Sequence, residues 1–152
     1  MKGGDGMPLT DRELFARLIQ CEAGGEGDNG MRAVASVVMN RVHAPNGEYA
    51  RIGQGSIRKI IYQPYQFTCA METVGGKYNP QNIYNMSPEA IHYDIADWAI
   101  AGNRLLNLGQ ALWFYNPFSP NCRPNFPSDI GYFVTRIGEH CFYNPTPAYA
   151  DT

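Results

Sequence analysis

The segment from Thr10 to Glu22 constrains the chain more than any other. Thr10 followed three residues later by Glu13 has the form of a capping box, with Thr10 as N-cap and Glu13 at N3. Leu9 and Leu14 take the flanking staple positions. Leu14, Phe15, Leu18 and Ile19 then make one apolar face, and Gly24-Gly25 ends the helix. Glu22 falls on that same face, one turn beyond Leu18 and Ile19. A carboxylate is therefore expected in line with the stripe that must face the core.

Burial disfavours the charged form of such a group. The partial negative charge of a helix C-terminus disfavours it again. Both effects predict a raised pKa, the condition for a general acid near neutral pH. A glycosidic oxygen leaves poorly until protonated, so a carboxylic acid of this kind suits glycoside cleavage. A glutamate at a helix end can also bend out to water or bond a loop amide, and periodicity does not choose between these. Glu26 lies past the glycines. It is either a second carboxylate of the site or a cap for the next helix, and the favourable field at a helix N-terminus argues for capping.

A second helix is predicted from Asp28 or Asn29 to about Val42, with Met31, Val34, Ala35, Val38 and Val42 at helical spacing. Residues 44–55 read as loop. Ser56 caps a short helix through Ile57, Ile60 and Ile61, and Pro64 keeps 62–67 as loop. Residues 73–86, rich in Gly, Asn and Tyr, read as loop too. Ser87-Pro88 predicts a helix start, Ser at N-cap and Pro at N1. That helix carries Ile91, Ile95, Trp98 and Ala99 on one face and ends near Gly102. Strands are predicted over 111–115, 132–137 and 139–143, with a Pro/Asn-rich loop at 116–129. Helices first and strands afterwards predict an α+β domain.

The length of 152 residues suits one domain, and no repeat or linker divides it. Residues 1–9 read as an N-terminal extension, its first part resembling a cloning remnant. Residues 10–147 read as one folded domain and 148–152 as a tail. The formal net charge is −2 and Lys and Arg do not cluster, which gives no support to nucleic-acid binding. No apolar run reaches the ~18 residues that would span a membrane. The opening MKGGDGMPLT lacks the apolar core of a secretion signal, so synthesis in the cytoplasm without a signal peptide is expected.

Cys21, Cys69, Cys122 and Cys141 contain no C-x-x-C pair, which argues against a zinc knuckle. Three pairings are possible and the sequence selects none. Without an export signal, free buried thiols are expected. Cys122, His140 and Cys141 match no standard ligand spacing, so neither metal nor cofactor is expected. A thiol peptidase would need a cysteine near a helix start, whereas Cys21 sits at a helix end. A non-catalytic binding or interaction module would have no use for Glu22.

Five stretches in order complete the picture. Leu14-Phe15-Ala16-Arg17-Leu18-Ile19 leads into Cys21-Glu22-Ala23-Gly24-Gly25-Glu26-Gly27. Val34 to Val42 ends in Asn40-Arg41-Val42. Ile60-Ile61-Tyr62-Gln63-Pro64-Tyr65-Gln66-Phe67 follows, then Leu112-Trp113-Phe114-Tyr115 and His140-Cys141-Phe142-Tyr143-Asn144-Pro145. Together they resemble the CwlJ/SleB cell-wall hydrolase family over about residues 10–147. Cys122, Phe133 to Arg136 and the final strand resemble the CwlJ branch in particular. Cys21 before Glu22 and the 121–129 loop depart from the family pattern.

The resemblance implies a compact, lysozyme-like single domain with N-terminal helices and a small antiparallel sheet. It implies cleavage of peptidoglycan glycan strands between N-acetylmuramic acid and N-acetylglucosamine, with Glu22 as catalytic acid. Lytic transglycosylation, giving 1,6-anhydromuramic ends, is the expected outcome. A hydrolytic muramidase is the rival and would need a base, for which Glu26 is the candidate. Candidate substrate-binding residues are Glu26, Gln66, Phe67, Tyr115, Asn116 and Arg136, each with a packing role as its alternative. The implied substrate is spore cortex bearing muramic lactam, degraded in germination. The implied location is the coat/cortex boundary, with a coat protein as partner.

Overall fold

A computed structural model of the protein describes residues 8–152. The first seven residues of the N-terminal extension lie outside the described residues. Helix α1 spans Asp11–Ala23, and the Thr10 side chain accepts from the Glu13 amide at 3.1 Å. Leu14, Phe15, Leu18 and Ile19 are fully buried. Burying side chains of this size contributes roughly 1.5–3 kcal/mol each, so packing rather than propensity holds α1.

Helix α2, Gly27–Val42, is the centre of the molecule. Met31, Val34, Ala35, Val38 and Val42 join α1 and the later helices in the main core. Ala33 and Val37, on another face, pack with Leu108, Ala111 and Phe142. A single apolar face therefore understates α2, which is buried between the helices and the sheet.

Residues 47–53, expected as loop, form helix α3, Gly47–Gly53. Its fixed point is Tyr49, buried against Trp113 and Tyr149, with its amide donating to the Tyr149 hydroxyl at 2.8 Å. Tertiary contact decides this short helix, and local signals do not report it. Helix α4, Ile57–Tyr62, begins at Ser56, whose hydroxyl accepts from the Lys59 amide. Helix α5, Ala90–Ile100, starts later than Ser87-Pro88 suggests. Glu89 is its N-cap, and the Glu89 amide donates to His92 Nδ1 at 2.9 Å. Ile95 and Ala99 are buried, while Ile91 in the first turn is exposed.

The 73–86 segment is not wholly loop. It holds a small hairpin, β1 (Thr73–Val74) with β2 (Lys77–Tyr78), and a 3-10 turn at Ile83–Asn85. The main sheet is antiparallel in the order β3-β6-β5-β4. Its strands are β3 (Trp113–Tyr115), β4 (Asn125–Phe126), β5 (Gly131–Ile137) and β6 (His140–Pro145). Strand β4 lies in the stretch expected as loop and pairs Asn125 with Tyr132. The last residues form a 3-10 turn, Pro147–Asp151, whose Tyr149 is buried.

The cysteines are not free thiols. Cys21 is bonded to Cys69, and Cys122 to Cys141. The first ties the end of α1 to the turn after α4, and the second ties the 116–129 segment to β6. Sequence spacing carries no information about which cysteines the fold brings together, so this expectation failed.

Candidate active site

Glu22 occupies the last turn of α1, half-buried between the buried Cys21 and Ala23. The Cys21–Cys69 bond draws the loop after α4 across the helix end. The Cys69 amide there favours the Glu22 anion. Burial is the largest influence on Glu22 and raises its pKa, while the Cys69 amide and the charge of Arg41 draw it back down. Glu22 thus holds its proton above the usual carboxylate range, with partners ready for its anion.

Arg41, in the last turn of α2, is only 4% exposed. Its Nε donates to the Leu112 carbonyl at 2.7 Å. Its guanidinium lies 4.6 Å from the Tyr49 ring centre and 4.9 Å from that of Phe67. Its Nη1 is buried with no hydrogen-bond partner. Burial pushes the Arg41 pKa down, opposed by Tyr49, Glu22, Tyr149 and Glu48. Phe67 is itself buried, and Gln66 Oε1 accepts from the Tyr49 hydroxyl at 2.8 Å. Gln66 and Phe67 therefore line the surroundings of Arg41.

Glu26 stands at the N-cap position of α2, but its side chain makes no cap bond. It crosses to the β5–β6 turn, where Oε1 accepts from the Glu139 amide at 2.9 Å and lies 3.5 Å from His140 Nδ1. Burial lowers the His140 pKa, and Glu26 opposes that shift. Gly138 makes the approach possible. It has φ +57°, and a Cβ there would meet Glu26 Oε1 at 2.6 Å. The capping role expected of the Glu26 side chain is thus replaced by a long-range bond that no local rule foresees.

Tyr115 is half-buried and stacked on Tyr143, and its hydroxyl accepts from the Arg123 amide at 3.4 Å. Asn116 Oδ1 accepts from the Phe118 amide at 2.8 Å. Arg136 donates from Nη1 to the Ser119 carbonyl at 2.9 Å and from Nε to Gly138 at 3.3 Å. Asn116 and Arg136 consequently brace the segment that carries Phe118. That ring is 88% exposed on a backbone with φ +52°. Tyr65 repeats the combination, 85% exposed with φ +65°. Large exposed rings on left-handed backbone are uncommon. Sequence reasoning missed both, and it passed over Arg41 as part of an ordinary helix.

The residues fall into two joined sets. Glu22, Gln66 and Phe67 gather around Arg41 and Tyr49. Glu26 and Arg136 meet at the β5–β6 turn. Phe114 links them, its ring 6.5 Å from Phe67 and 5.1 Å from His140. A cavity of about 590 Å³, lined by Asn40, His43, Arg104, Gln110 and Leu112 among others, does not include Glu22. Among the described residues no group of three or more His, Cys, Asp or Glu converges as for a metal ion. No helix among them is long and apolar enough to cross a membrane.

The sequence model of the family described as Cell Wall Hydrolase matches residues 25–143. The chain belongs to the cell wall hydrolase family. The cell wall hydrolase CwlJ of Bacillus subtilis is 35% identical to it over 137 residues, covering 90% of this chain and 87% of that one. A spore cortex-lytic enzyme of Bacillus subtilis is 27% identical over 142 residues, covering 90% of this chain and 38% of the other. The fold of this cell wall hydrolase is similar to the catalytic domain of the germination-specific lytic transglycosylase SleB from Bacillus anthracis. The TM-score is 0.62 at 23% identity, covering 92% of this chain and 98% of that one. The SleB catalytic domain of Bacillus cereus gives a TM-score of 0.62 at 24% identity, covering 92% and 94%. The helices with an antiparallel sheet are thus the lysozyme-like arrangement of that catalytic domain.

Proposed function

We propose that this cell wall hydrolase cleaves peptidoglycan glycan strands between N-acetylmuramic acid and N-acetylglucosamine as a lytic transglycosylase, with Glu22 as acid and then base. The observation that carries the reading is Glu22 itself, a half-buried carboxylic acid whose charged form is disfavoured. Its proton goes to the glycosidic oxygen as the bond to the muramic C1 breaks. The muramic 6-hydroxyl attacks C1 and returns its proton to the Glu22 carboxylate. The products are a 1,6-anhydromuramic end and a free N-acetylglucosamine hydroxyl, with no water consumed.

A hydrolase of the same bond would need a free base for water. Glu26 is the nearest candidate in sequence, and its engagement with the β5–β6 turn argues against that use. Gln66 and Phe67 shape the surroundings of the acid. Tyr115, Asn116 and Arg136 support the wall from which Phe118 projects, and Phe118 and Tyr65 offer ring faces to sugars.

The name of the spore cortex-lytic relative supports spore cortex as the substrate, and action at the coat/cortex boundary is part of the same proposal. Two disulfides fit work in an oxidising setting. A coat protein as docking partner completes the proposal. The test is loss of turbidity from decoated spores or purified sacculi. Wild type clears them and Glu22→Gln does not. Equal clearing by both would remove Glu22 from the chemistry, and no clearing by wild type would leave a binding module.

A further inference from the structure

A guanidinium keeps its charge in a protein interior, and burying it without a paired anion costs several kcal/mol. Arg41 is buried, yet among the described residues no carboxylate lies within ion-pair distance of it. Among those residues its Nη1 has no hydrogen-bond partner either. The bond to Leu112 and the rings of Tyr49 and Phe67 fix its position without balancing its charge. Four titratable groups act on it, one from α1, two from α3 and one from the C-terminal turn: Glu22, Glu48, Tyr49 and Tyr149. The two tyrosines have raised pKa values and stay neutral near pH 7. Glu48 is held by Gln63, whose Nε2 donates to it at 3.2 Å. Both carboxylates act on Arg41, and the Glu22 anion is favoured in turn by Arg41 and by the Cys69 amide.

We propose that Arg41 is a positioning residue of the site, a fixed buried cation that receives the Glu22 carboxylate as its counter-charge once the proton has left for the glycosidic oxygen. This rests on the reading of Glu22 as the acid. Before proton transfer Glu22 is neutral and sets no charge against Arg41. After transfer the Glu22 anion adds its attraction to the buried Arg41 charge. The interaction is stronger after the step than before it, which is what lowers a barrier. The orphaned Nη1 is then a donor kept for the anionic state rather than a packing fault.

The test needs no substrate. The Glu22 carboxyl carbon and the Arg41 side-chain nitrogens are followed by NMR against pH in labelled wild type, Glu22→Gln, Arg41→Lys and Arg41→Gln. The Arg41 signals should move with the Glu22 midpoint in wild type and lose that movement in Glu22→Gln. Arg41→Gln should raise the Glu22 midpoint, with kcat down about tenfold and KM unchanged, and Arg41→Lys should restore both in large part. Arg41 signals that stay flat through the Glu22 titration would overturn the proposal. So would an unchanged Glu22 midpoint in Arg41→Gln, or Lys as damaging as Gln. If the Arg41 variants fail to fold, wild type against Glu22→Gln still decides. A failure here leaves the transglycosylase reading intact, because that reading is judged on cleavage products.

Discussion

Cys69 bears on Glu22 by two routes: its amide favours the Glu22 anion, and its sulfur is bonded to Cys21, the preceding residue on α1. The loop after α4 and the end of α1 are thereby one unit. The candidate acid sits next to the covalent tie. Reduction should therefore reach chemistry as well as stability. Replacing Cys21 and Cys69 by Ser should cost about 2–4 kcal/mol, read by denaturant unfolding. Activity on sacculi should fall more than for the equivalent change at Cys122 and Cys141, under conditions where both variants are folded. Equal losses would mean that the first disulfide is structural only.

Glu22 gives stability a definite pH dependence. Its folded pKa is raised by burial, above the unfolded value. Such a group contributes stability fully below the unfolded carboxylate pKa and loses it as pH rises through the folded value. Glu22→Gln should then unfold at a higher temperature than wild type at neutral pH, and the gain should vanish toward pH 4. In a chain of this size each kcal/mol moves Tm by about 2–4 °C. Calorimetry across that range checks the sign. A gain that grows as pH falls would contradict the burial argument.

The side chain of Glu26 divides the transglycosylase from the hydrolase. Bonded to the Glu139 amide and close to His140, it supports the β5–β6 turn. Glu26→Gln keeps an acceptor oxygen and should cost less than about tenfold in rate, whereas loss of a general base costs about 100-fold or more. Gly138→Ala, which drives a methyl into Oε1, should disturb the site more than Glu26→Gln does. Initial rates of clearing separate these outcomes.

Phe118 is predicted to bind and not to stabilise. Being almost wholly exposed, its replacement by Ala should change stability by less than about 0.5 kcal/mol. Loss of one ring contact should raise KM about two- to tenfold with kcat little changed. A fall in kcat alone would mean that Phe118 acts on the chemistry from a distance.

Helix α1 with Glu22 on its buried face was legible in sequence because capping chemistry and period agree there. The strands of β3, β5 and β6 were legible for a similar reason, as apolar runs bounded by turn residues. Helix α3 was not, since Tyr49 earns its place only by meeting Trp113 and Tyr149. Strand β4 is too short for any period to register. The disulfides, the reach of Glu26 to Glu139 and the burial of Arg41 are long-range events. They depend on which surfaces the fold brings together, and residue spacing along the chain says nothing of that. Of the candidate substrate-binding residues, Gln66 and Phe67 lie around Arg41 and Tyr49, and Glu26 and Arg136 at the β5–β6 turn. Asn116 and Arg136 bond to backbone and support the Phe118 segment.

The measurement that tests the central claim most directly is mass spectrometry of the muropeptides released from cortex or sacculi by wild type and by Glu22→Gln. The account predicts 1,6-anhydromuramic products from wild type and none from Glu22→Gln. Reducing muramic ends from wild type would contradict transglycosylation, and equal release by the two proteins would contradict the role of Glu22.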